Sequence, residues 1–93
     1  MIGKVYCIEF GVEDKVRNYS YDGILKTVGS FSNFNGAMEK AKELFTTELE
    51  RLAKVYPSVE KDFVSGDSGY EITMTIGDNE ILESWNVVEL VLR

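Results

Sequence analysis

The chain has 93 residues, sixteen acidic against ten basic, one cysteine and no histidine, for a net charge of −6. That length gives a single domain, 1–93, with one real core and little area for a deep substrate pocket. A lone thiol forms no internal disulfide, zinc lacks its ligands, and an acidic balance counts against phosphate-backbone binding, which needs clustered Lys and Arg.

Lys4-Val5-Tyr6-Cys7-Ile8-Glu9-Phe10 is rich in β-branched and aromatic residues and reads as a strand. Tyr6, Ile8 and Phe10 fall on one side and Val5, Cys7 and Glu9 on the other. Cys7 among such neighbours reads as a small apolar side chain, with no base beside it to make it a nucleophile. The polar stretch Glu13-Asp14-Lys15-Val16-Arg17-Asn18 reads as a turn or loop, and a second strand is expected within residues 19–31, interrupted by Gly23 and Gly29. Tyr19 and Tyr21 share one side of it.

A long helix follows. Phe34, Ala37, Met38, Ala41, Phe45, Leu49, Leu52 and Tyr56 recur at steps of three and four, which gathers them on one face. Ser32 or Asn33 supplies a cap for the first-turn amides, and Pro57 ends the helix by forcing its predecessor out of helical geometry. Glu39, Lys42, Glu43, Glu50, Arg51 and Lys54 make a solvated outer face. Residues 58–65 fit either a short helical turn or a strand.

Gly66-Asp67-Ser68-Gly69 is identical to the nucleophile signature of chymotrypsin-like serine proteases, but those enzymes need a histidine to take the serine proton, and this chain has none. Gly, Asp and Ser in this order make a turn. Tyr70, Ile72, Met74 and Ile76 then alternate with Glu71, Thr73 and Thr75, a half-buried strand. Gly77-Asp78-Asn79 suits a hairpin loop. The last strand runs from about Glu80 to Leu92 without clean alternation: Leu82, Val88, Leu90 and Leu92 share one parity and Ile81, Trp85, Val87 and Val91 the other. Either a bulge near Trp85-Asn86 switches the faces, or both faces are covered. The expected fold class is α+β: an antiparallel sheet in the order ββαββ, with room for a fifth strand before Gly66, and one long helix packed on one face.

Charge is unevenly placed. Residues 1–57 hold eight acidic and eight basic side chains, whereas residues 58–93 hold eight acidic side chains against Lys61 and Arg93 alone. The whole imbalance therefore lies in the last third. Glu71 falls on the outward parity of its strand, and Glu83 and Glu89 share a parity on the next, so the three are expected to line one sheet face. As a glycosidase pair, two of them would need a pocket and one raised pKa, which an open sheet face in a small domain does not offer. Trp85 is either a core residue or, if exposed among carboxylates, the aromatic anchor of a protein interface.

No cofactor, metal site, phosphate loop or dinucleotide fingerprint is expected. The opening Met1-Ile2-Gly3-Lys4 lacks the apolar run of a secretion signal, and no later stretch is long enough to span a bilayer. The expectation is thus a cytoplasmic, non-enzymatic, protein-binding module without membrane contact or direct nucleic-acid binding. Its partner would be a protein with a basic surface, met by Glu71, Asp78, Glu80, Glu83, Trp85 and Glu89 of the final hairpin. In size, charge and layout, though in no motif, the chain resembles small phage or mobile-element proteins, including some anti-CRISPR inhibitors. The alternative is a non-catalytic structural or assembly protein that forms a homodimer through its sheet. In that case Glu83 and Glu89 would repel across a two-fold axis unless Lys4, Lys26 or Arg17 reached them.

Overall fold

The computed structural model describes residues 3–15 and 18–92. The elements are β1 (Gly3–Asp14), β2 (Tyr19–Ile24), a short 3-10 turn (Lys26–Val28), α1 (Phe34–Val55), β3 (Glu60–Ser65), β4 (Gly69–Ile76) and β5 (Asn79–Leu92). The five strands form one antiparallel sheet in the order β2-β1-β5-β4-β3, with α1 across one face.

The expected α+β architecture is the observed one, and the open choice at residues 58–65 resolves as the edge strand β3. The first strand runs further than expected, taking in Glu13 and Asp14, because each pairs with both β2 and β5. Residues 16 and 17 of the expected loop lie outside the described residues. Beyond β2, Phe31 returns to pair with Tyr6, so the segment after Gly23 stays alongside β1.

α1 starts where the Asn33 side chain accepts the Gly36 N–H at 2.7 Å, and it stops at Val55, one residue short of the expected Tyr56. Ala37, Ala41, Phe45 and Leu52 form its buried stripe. They meet Ile8 of β1, Ile72 and Met74 of β4, and Trp85 and Val87 of β5. Burying a side chain the size of Ile8, Leu52 or Ile72, all fully enclosed, contributes about 1.5–3 kcal/mol each. Aromatic rings occupy the centre. Phe45 stacks on Tyr70 at 5.0 Å and meets the Trp85 edge at 6.2 Å, while Phe10 lies 5.4 Å from Trp85 on the other side.

β5 contains no bulge. Its register with β1 is unbroken from Ile81 to Leu92, and with β4 from Asn79 to Asn86. Its odd-numbered residues therefore face the helix throughout, and its even-numbered residues face the opposite, helix-free side. The irregular apolar pattern is a strand with apolar side chains on both faces.

The tetrapeptide 66–69 is a tight connection between β3 and β4, closed by the Gly66 N–H donating to the Gly69 carbonyl at 2.9 Å. Gly69 is pressed against β5: a Cβ there would lie 2.4 Å from the Trp85 carbonyl oxygen. That approach lets the Ser68 carbonyl accept the Val87 N–H at 2.7 Å. At the other end of β4, Gly77 takes φ +65 in the two-residue loop to β5, as the first position of a type II′ turn requires.

Candidate functional site

Register decides which side chains share a face, because directly opposed residues of an antiparallel pair project to the same side. On the helix-free face, one row across the sheet reads Val64, Glu71, Ser84, Gly11, Asp22. The next reads Asp62, Thr73, Leu82, Glu13, Ser20, and the one beyond it carries Glu60, Thr75 and Glu80. Glu9 stands beside Asn86 in the row on the other side of Gly11. This face thus carries seven carboxylates drawn from all five strands. The described cation on it is Lys15, at its corner, 3.4 Å from Glu80. α1, on the opposite side of the sheet, carries four acidic and four basic residues.

Two hollows interrupt this surface where glycine removes a side chain. Over Gly11, Asp22 and Ser84 lean in from either side, so that a Cβ would meet Asp22 Oδ1 at 2.6 Å and Ser84 Oγ at 2.7 Å. The hollow of about 80 Å³ is also lined by Glu13 and Ser20. The second, about 240 Å³, lies at Gly69 between Glu71, Ser68 and Asn86. Both present carboxylate and hydroxyl or amide oxygens, which suits hydrogen-bond donors of positive charge.

The residues expected to act together are divided between faces. Glu71 is on the acidic, helix-free face, whereas Glu83 is opposed to Ile72 and Val12 and points under the helix, so the expected shared face of Glu71, Glu83 and Glu89 does not form. Glu89 is on the helix side near the far end of β5, 3.3 Å from Lys4 Nζ. Asp78 is exposed in the β4–β5 loop and Glu80 begins β5. Trp85 is 4 % exposed and belongs to the core. It also floors a shallow apolar groove of about 300 Å³ shared with Phe10, Leu25 and Leu44.

Glu83, 9 % exposed, makes a second feature. Burial pushes its carboxyl up to about 8, reinforced by a hydrogen bond to Glu48 and by that group's negative charge, against the opposing pull of Arg51. Burial acts on Glu48 in the same upward direction, but hydrogen bonds from Arg51 Nε and from Glu83 outweigh it and hold Glu48 below its ordinary value. At neutral pH the pair therefore shares one proton, with Glu83 donating to an ionised Glu48. Since α1 roofs it, the geometry makes this pair a tie between helix and sheet. Glu48 lies three residues after Phe45 and four before Leu52, so helical spacing alone places it on the inward face. Its charge hid it. Glu9, Glu13, Asp22, Glu60 and Asp62 were also missed as site residues, since their grouping depends on pairing between strands remote in sequence.

Among the described residues, no cluster of metal-binding side chains forms and no helix is long and apolar enough to cross a membrane. Compared with protein-family models, with curated proteins and with solved structures, the chain matches none of them.

Proposed function

We propose that the protein is a small acidic binding module whose helix-free sheet face occupies a basic, nucleic-acid-binding surface of a partner protein, acting there as an inhibitor. The observation that supports this reading is the segregation of charge: seven carboxylates on one rigid face, against Lys15 as its one described cation. Carboxylates fixed on a sheet offer oxygens where phosphates would otherwise sit, and the field they sum to speeds encounter with a cationic surface at low salt. The hollows over Gly11 and Gly69 give arginine or lysine side chains places to enter between carboxylates. This working surface differs from the final hairpin alone. It keeps Glu71 and Glu80, adds Glu9, Glu13, Asp22, Glu60 and Asp62, and leaves out the buried Glu83 and Trp85, the helix-side Glu89 and the loop residue Asp78.

The test compares wild type with the combined Glu13→Gln, Asp22→Asn and Glu71→Gln variant as bait in lysate from the source cell, at low and high salt. The expected result is a partner that salt elutes, that added nucleic acid displaces, and that the variant fails to retain. Equal retention by both baits, or a partner indifferent to salt, would rule the acidic face out as the contact.

A further inference from the structure

β4 begins at Gly69, opposite Asn86, and the last bond on that side of β5 is the one from Val87 N–H to the Ser68 carbonyl. β5 continues to Leu92, held on its other side by β1 as far as Gly3. Along a strand, the backbone groups of alternate residues point to opposite edges. Val87 points toward β4, so the N–H and C=O groups of Glu89 and Val91 point the same way, to an edge along which no described strand lies.

Exposed edges are ordinarily blunted by charges, proline, bulges or a covering element. Residues 88–92 contain no proline and no bulge, and their one charge, Glu89, is held by Lys4 of the same chain at 3.3 Å. Leu90 is 42 % exposed and Val91 52 %. On the helix-free side, this end of the sheet carries Val5, Cys7, Val88 and Leu90, with no carboxylate among them.

We propose that residues 88–92 are the contact through which two copies of this chain pair edge to edge, antiparallel, about a two-fold axis at Leu90. In this register Glu89 faces the partner's Val91 and Val91 faces the partner's Glu89. The outward N–H and C=O groups of all four residues are then satisfied by four hydrogen bonds. Neighbouring registers are poorer. An axis at Glu89 sets two carboxylates directly opposite each other, which destabilises a pair. An axis at Val88 brings Val91 against Trp85, whose edge is already taken by Tyr70. An axis at Val91 leaves the Val91 pair as the one bonded pair within the described strand.

Charge placement favours a second copy as the occupant. Antiparallel pairing sends the two acidic ends in opposite directions. At about 3.4 Å per residue, Ser84 of one chain lies roughly 40 Å from its counterpart. That is several screening lengths at physiological salt, so two chains of charge −6 meet at the ends remote from their seven-carboxylate faces, where the one described carboxylate, Glu89, is paired with Lys4. Lys4 answers the repulsion expected of Glu89. This inference does not depend on the acidic-face reading, since the dimer leaves that face open.

Sedimentation velocity of the purified chain over a dilution series reads the association directly. The expected result is the mass of two chains at high concentration, falling to one on dilution. Leu90→Lys places two ammonium groups at the axis. Val91→Pro deletes two of the four bonds without touching the β1 ladder, because the Val91 N–H points away from β1. Both variants are expected to remain monomeric, with wild-type circular dichroism. In a Cys7→Ala background, which removes the neighbouring thiol, Leu90→Cys is expected to oxidise to a covalent dimer, as opposed Cα atoms at about 4.5 Å permit. A single-chain mass at every concentration, or a dimer that both variants leave intact, overturns the proposal.

Discussion

Glu83 on β5 and Glu48 on α1 are held together by one proton under the helix, and Arg51 fixes which of them stays ionised. Raised from 4.5 to about 8 in the folded chain, Glu83 keeps a proton that the unfolded chain releases. Its contribution to stability is complete below its ordinary value and is lost as pH climbs through the folded value. Glu48, held low, acts in the opposite sense: its contribution is present above its ordinary value and is lost as pH falls through its folded one. Arg51 is the cation facing both groups, while Val12 and Ile72 flank Glu83 with apolar surface.

Stability, and with it the melting temperature, is therefore expected to be highest near about pH 5 and to decline as pH rises toward about 8. Glu83→Gln retains a donor toward Glu48 without a titrating proton, and should flatten that decline. Thermal melts of both proteins across this range check it. A wild-type profile as flat as the variant's would show that the two carboxyls do not share a proton.

Gly69 sits where any side chain would strike the β5 backbone. Gly69→Ala is expected to destabilise by about 1–3 kcal/mol, the usual consequence of forcing atoms into a packed contact. The shift should lengthen the bond from Val87 N–H to the Ser68 carbonyl. Urea unfolding gives the magnitude, and faster amide exchange at Val87 localises it.

The helix start rests on Asn33, whose side chain takes the Gly36 N–H. Asn33→Ala should lower stability by about 1 kcal/mol, whereas Asn33→Asp should retain most of it, because a carboxylate at that position accepts the same bond and suits the helix dipole. Chemical denaturation of the two variants separates loss of the cap from loss of side-chain volume.

Carboxylates crowded on one face repel one another. Asp22→Asn or Glu71→Gln should leave the melting temperature unchanged or raise it slightly at low salt, and wild type itself should gain stability as salt is added. A clear fall in either variant would mean that the carboxylate has a structural bond to lose.

The helix and β4 were legible because each has one apolar stripe at its own period: Ala37, Ala41, Phe45 and Leu52 at helical steps, Tyr70, Ile72, Met74 and Ile76 at alternate positions. β5 was not, since Val88 and Leu90 are as apolar as Trp85 and Val87. Only its partners β1 and β4 reveal which parity lies under the helix. Parity alone groups Glu83 with Glu89 but does not say which face of β4 they share, since only the register opposes Glu83 to Ile72. Nothing local announces a second carboxyl on α1 to share the Glu83 proton. The acidic face was half visible. Parity within β1 separates Glu9 from Ile8, but joining Glu9, Asp22, Glu71 and Asp62 needs the register of four strand pairs. The hidden information is tertiary.

The first and last strands of the chain lie side by side at the centre of the sheet, with β2 and β3 at its edges. The β1–β2 and β4–β5 pairs join neighbours in sequence and can zip quickly, but the pairing that unites them must close a loop containing the whole helix. Loop closure of that kind taxes the search entropically before any contact rewards it, which places the protein among the slower small folders despite its long helix. If the β1–β5 ladder closes after the barrier, Ile8 and Val87 replacements will show up mainly in the unfolding rate. If its closure is the barrier, they will slow folding instead.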